Sequence, residues 1–274
     1  MIFERNNLNS MKIYPRTFRE LVHSIINTDK DDFKFIGTGN PAAKILIVGQ
    51  EVALDPMTSE SDKFHYGLHQ ANNILWGKCI EKNQDFDDVP VWGRENKNYI
   101  PEDFSPLYPY KGDQKIHKSI KNGGSSQTCK RYQKLLSYVY PNLLSCNEID
   151  FHKYAFITEM SSRAFPKSPA KNSQTAQSIQ TRISGLLSHE FFTQFPVVIV
   201  AAGNYVSKKM YGIDLESTFN QKFIRTEQSV THRSEWIHVH KSDNRLLLHC
   251  RQLAFCSDDL LIRLSSHIKE HLKL

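Results

Sequence analysis

Four consecutive apolar residues, Ile45-Leu-Ile-Val48, stand between Lys44 and Gly49. An apolar run of this length without alternation reads as a strand covered on both faces, as in a parallel sheet, not as one face of a helix. Tyr154-Ala-Phe-Ile-Thr158 and Pro196-Val-Val-Ile-Val-Ala201 repeat the pattern, and Glu235–His240 and Arg245–Leu248 supply two more strands. Helical stripes lie between and around them, over Arg16–Asn27, His65–Glu81, Cys129–Tyr140, Ser173–Leu187 and Asp258–Leu272. Strands alternating with helices specify an α/β fold, a three-layer α/β/α sandwich around a mainly parallel sheet. The 274 residues fit a single domain over 1–274, with 83–128 as an irregular insertion.

With 39% hydrophobic residues the chain can bury a sizeable core. No apolar run approaches the roughly 20 residues that span a bilayer, so no membrane partner is expected. Met-Ile-Phe-Glu-Arg-Asn-Asn at the start has no basic segment followed by an apolar stretch, so no signal peptide is read there. Cysteines 79, 129, 146, 250 and 256 are odd in number and contain no CxxC pair. Reduced thiols in a cytoplasmic protein follow, with no metal and no cofactor.

The net charge of +6 is mild, but it is concentrated. Lys111, Lys115, Lys118, Lys121, Lys130, Arg131 and Lys134 face a single acid, Asp113, so this segment alone equals the excess of the whole chain. Clustered basic charge is the footprint expected for a phosphate backbone, single- or double-stranded. A solvated loop is the other reading of such a run.

Functional groups in open α/β sheets gather at the carboxyl ends of the strands. Gly49, Gln50 and Glu51 stand at one such end, Glu159 at a second, Gly203 and Asn204 at a third and His249 at a fourth. A carboxylate opposite an imidazole suits hydrolysis, with the acid orienting water and the histidine meeting a leaving anion. A lone histidine can equally be satisfied by a hydrogen bond in the core. His238 and His240 alternate on one strand face, but no third ligand follows to hold a metal.

The Gly-Thr-Gly-Asn-Pro41 lead-in, strand 44–48 with Gly49-Gln50-Glu51, strand 196–201 with Gly203-Asn204, and Leu248-His249 together resemble the uracil-DNA glycosylase superfamily over roughly residues 33 to 270. The resemblance implies that fold and the hydrolysis of the N-glycosidic bond of a flipped base in DNA. Glu51 falls where one branch keeps its water-orienting aspartate, and Val52 replaces the proline that follows it. His249-Cys-Arg-Gln-Leu253 matches the family's last motif. By that match His249 stabilises the base anion, Leu253 wedges into the base stack and Arg251 contacts phosphate. Phe64 lies near the family's base-stacking phenylalanine, and Gly49, Gln50, Glu159 and Asn204 fall in its base-binding motifs. Glu159 would accept from an amino or imino group and repel the O4 of uracil. No iron–sulfur cluster is implied, because the N-terminal CxxC pair is missing. The expected protein is a monomeric DNA glycosylase. Its alternatives are an inactive nucleic-acid-binding member and a nucleoside or nucleotide hydrolase.

Overall fold

A computed structural model describes residues 13–52, 60–91, 104–112, 114, 116, 126–164, 173–206, 212–229, 232–242 and 244–274. Its centre is a seven-stranded mixed sheet: β1 (Thr38–Gly39), β2 (Ile45–Gly49), β3 (Ala155–Glu159), β4 (Val197–Val200), β5 (Lys222–Gln228), β6 (Trp236–Ser242) and β7 (Arg245–Cys250). The spatial order is β1-β3-β2-β4-β7-β6-β5. The four central strands are parallel to one another. β1, β6 and β5 join the sheet antiparallel, so the expected parallel sheet is confined to its middle.

Neighbouring residues of β2 serve opposite cores, because side chains alternate across a strand. Leu46 and Val48 pack with Phe18, Trp76, Ile179, Phe191 and Phe219 on one side. That layer comes from α1 (Arg16–Ile25), α4 (Asn72–Glu81), α6 (Ser173–Arg182), α7 (Glu190–Thr193) and α8 (Leu215–Phe219). Ile45 and Ile47 pack on the other side with Leu135, Leu136, Leu260 and Leu264. Those four belong to α5 (Gln127–Val139) and α9 (Asp258–Leu272). Helices thus cover both faces of the parallel strands, which is why β2 and β4 can be apolar at every position. α9 begins where expected because the Ser257 hydroxyl accepts the Leu260 N–H.

The helix expected over His65–Glu81 is two, α3 (Glu60–Gln70) and α4, meeting at Ala71. Buried Asn72 opens α4 and bonds to the β1 lead-in. Its side chain accepts from Ile36 N–H and Gly37 N–H and donates to the Gly37 carbonyl. A short α2 (Asp31–Lys34) precedes β1. All five cysteines are free thiols.

Candidate functional site

In chain order the parallel strands are β2, β3, β4 and β7, but in space they run β3-β2-β4-β7. The winding reverses between β2 and β4, and ligands of open α/β sheets bind in a crevice outside the carboxyl ends of such a pair. Gly49 does not break β2 but ends it, paired with Glu159. Its lack of a side chain permits a close approach, since a Cβ there would lie 3.1 Å from the Tyr132 hydroxyl. The ladder continues past both strands. Met160 N–H donates to the Gly49 carbonyl, Ser161 N–H to that of Gln50 (both 2.9 Å) and Ala201 N–H to that of Val48 (2.8 Å).

The Gln50 side chain spans the switch point, donating from Nε2 to the Ala202 carbonyl at 3.1 Å. Gly203 follows with φ +53°, a left-handed conformation that glycine adopts without steric cost. Its carbonyl meets His249 Nε2 at 3.0 Å. Half-buried Glu51 directly follows Gln50.

A carbonyl can only accept, so His249 Nε2 carries the proton and Nδ1 keeps a lone pair. Burial pushes the imidazole pKa down to about 4, against the opposing pull of the Gly203 carbonyl. His249 is therefore neutral near pH 7. Its ring lies 4.7 Å from that of Trp236 and 5.3 Å from that of His238. As placed, its donor is committed to backbone. Stabilising a leaving anion requires exchange of the Gly203 carbonyl for a base oxygen.

On the far side of β2, Glu159 Oε2 stands 3.5 Å from Nε2 of buried His69. That is ion-pair range, yet neither atom meets hydrogen-bond geometry. The His69 ring is stacked on Phe35 at 4.1 Å. Arg182 fixes this corner from a fully buried position. Its guanidinium donates to the carbonyls of Glu159 (3.0 Å), Asp32 (2.5 Å) and Phe35 (2.9 Å) and to Thr158 Oγ1 (3.1 Å). Burial lowers its pKa to about 10, which still leaves the cation protonated near pH 7. Sequence reasoning passed over His69 and Arg182. Arg182 carried a legible signal: a charge between Ile179 and Leu186 on an otherwise inward-facing stripe.

Leu253 is corrected by the structure. It is fully buried in the core beneath α5 and α9 and offers no surface to a base stack. Phe255, two residues on, is 77% exposed. Arg251 is half-buried, and its Nη1 reaches Ser234 Oγ at 3.4 Å. Asn204 is exposed on the single helical turn Gly203–Tyr205. Phe64 lines a groove with Leu68, Ile74 and Lys78 of α3 and α4, and no strand-end residue is among its described lining residues. Lys130 lies half-buried on α5, while Arg131 and Lys134 are both paired with Asp258, at 2.7 and 2.6 Å. Lys115, Lys118 and Lys121 lie outside the described residues.

Among the described residues, no group of three or more His, Cys, Asp or Glu side chains could hold a metal ion, and no helix is long and apolar enough to cross a membrane. Comparison with known protein families, curated proteins and solved structures returns no match.

Proposed function

We propose that this chain is a uracil-DNA-glycosylase-like protein that binds DNA and hydrolyses the N-glycosidic bond of a flipped base in the crevice at the β2–β4 switch point. The observation that carries the reading is the meeting there of Gln50 with the Ala202 carbonyl and of His249 with the Gly203 carbonyl, from three adjacent parallel strands, with Glu51 the next residue after Gln50. Strands two places apart, as β2 and β7 are, lie roughly 10 Å from each other, which leaves room for a flat base and a water. The bond breaks with its electron pair moving to the base and positive charge growing on the sugar. Glu51 stabilises that charge and takes a proton from the water that attacks the anomeric carbon. His249, neutral through burial, gives a hydrogen bond to the departing base once the base oxygen has replaced Gly203.

Glu159 bears on which base is taken. A carboxylate beside His69 repels the O4 acceptor of uracil and accepts from an exocyclic amino group, which favours bases carrying such an amine over uracil. The wedge passes from Leu253 to Phe255, whose exposed ring can hold open a stack from which a base has left.

Base excision from end-labelled oligonucleotides carrying uracil, hypoxanthine, xanthine or a mismatch, each single- and double-stranded, tests the reading. Excision by the wild type is expected to fall by about 10²–10⁴ in Glu51→Gln. An unchanged rate would remove Glu51 from the chemistry. One observation favours a second reading, a protein that binds bases without cutting: the only proton of neutral His249 already rests on Gly203. Tight oligonucleotide binding with no excision of any base would select that reading, and absence of both would overturn both.

A further inference from the structure

We propose that the face of β5, β6 and β7 carrying Phe223, His238, His240, Trp236 and His249 is a stacking platform for the bases of a single nucleic-acid strand leading into the crevice. The proposal rests on the nucleic-acid half of the function above, not on bond cleavage. Register puts these residues on one face: His238 pairs directly with His249, and Phe223 with His240. The opposite parity, Ile237, Val239, Leu246 and Leu248, goes to the core under α9. The rings form a continuous series. Phe223 lies 5.4 Å from His240 and 6.1 Å from His238, His238 lies 4.3 Å from Trp236, and Trp236 lies 4.7 Å from His249.

The outer members of the series are open to solvent. Phe223 is 46% exposed and Trp236 and His238 are half-buried, so these three present the stacking surface, with buried His240 and His249 packed behind them. Exposed polar neighbours on the same parity, Thr226 and Gln228, add hydrogen-bonding groups, and Thr226 Oγ1 lies 2.8 Å from His238 Nδ1. A face of flat rings edged by small polar groups fits unpaired bases, because every base has a π-face to stack. It is less suited to an aliphatic partner.

Charge and continuity point the same way. Lys222 and Lys241 pair directly on the other face of the hairpin, so the positive charge next to the rings comes from Arg251. Arg251 lies one residue past β7 at the inner end, beside the crevice. Glu216 of α8 opposes its charge, bound to the backbone N–H of Phe223. His249 belongs both to the ring series and to the crevice, so a strand lying on the platform leads to the site.

The test compares binding of a short oligothymidylate with binding of a base-free deoxyribose–phosphate strand of the same length, by fluorescence anisotropy. The proteins are the full chain, Phe223→Ala, Trp236→Leu and, as a control on the same strand, Ile224→Ala. The base-bearing strand is expected to bind the wild type more tightly than the base-free one. Phe223→Ala and Trp236→Leu are each expected to weaken its binding by about 5- to 100-fold, with Ile224→Ala near wild type. Equal affinity for both strands, or ring variants that bind like the control, would overturn the platform. So would sedimentation showing that Phe223→Ala breaks a dimer while oligonucleotide affinity is unchanged, because the face would then join copies of this chain. Excision is read on separate, lesion-bearing strands, so the platform and the catalytic reading can fail independently.

Discussion

The parallel block β3-β2-β4-β7 and the antiparallel extension β5–β6 share one sheet but have opposite surroundings. β2 and β4 have no exposed residue, while six of the seven residues of β5 are exposed. In the parallel block, helices on both sides consume the side chains in packing, and only the backbone and the strand ends are left for chemistry. In the extension one face packs under α9, and the other keeps Phe223 exposed and Trp236 and His238 half-buried. The first region positions a site and the second offers a surface, and His249 sits on the seam, paired across to His238.

The largest expected contrast is in stability. Leu46→Ala removes a fully buried side chain from β2 and should cost about 2–5 kcal/mol, through lost transfer energy and the cavity left behind. Ile224→Ala, at a side chain 51% exposed on β5, should cost about 0.5 kcal/mol or less. Urea unfolding of both variants measures the difference. Similar losses would mean that the extension is integral to the core, and the contrast would fail.

The same contrast explains what the sequence discloses. Ile45-Leu-Ile-Val48 and Val197-Val-Ile-Val200 are legible as strands because covering both faces demands an unbroken apolar run. Lys222-Phe-Ile-Arg-Thr-Glu-Gln228 shows no such run, since an edge strand with solvent on it is under no such demand, and it escaped detection. The strand ends at Glu51, Glu159 and His249 could be placed from the runs that precede them. What could not be placed was the tautomer of His249, which depends on the left-handed turn of Gly203 46 residues away. Nor could the burial of Leu253 be read, because its motif fixes a spacing and says nothing of depth. His238 and His240 were visible as a pair on one face, but Phe223, which completes the ring series, lies on the strand that was missed.

Acid should act on the seam. His249 has a native pKa of about 4, below its ordinary value, so its neutral form is the one the fold accommodates. Above about pH 6.5 neither state binds the proton and stability is full. As pH falls from 6.5 toward 4, the unfolded chain takes up a proton that the native chain refuses, and about 3 kcal/mol should be lost. His152, which burial lowers to about 3, adds a loss of the same sign that continues below pH 4. Urea melts at pH 7, 5.5 and 4 should therefore show a smaller decline for His249→Gln than for the wild type. Parallel declines would mean that the imidazole reaches solvent, and that the seam is more open than the β4–β7 register implies.

The smallest expected effect concerns phosphate binding. Asp258, in the first turn of α9, holds both Arg131 and Lys134, and these contacts lower its pKa, Lys134 contributing first. The pairs are solvent-exposed, so Asp258→Asn should change stability by at most about 1 kcal/mol. It should nevertheless release two cations on α5, the helix packed against the turn that carries exposed Phe255, for a strand passing the site. Each cation that joins a phosphate steepens the dependence of log affinity on log salt by roughly 0.7–0.9. Oligonucleotide titrations at several salt concentrations should show a steeper slope and tighter binding at low salt in Asp258→Asn. An unchanged slope would mean that nucleic acid does not pass over the α5–α9 corner. Recognition would then fall to the antiparallel extension, leaving the two regions divided between anchoring a strand and acting on its base.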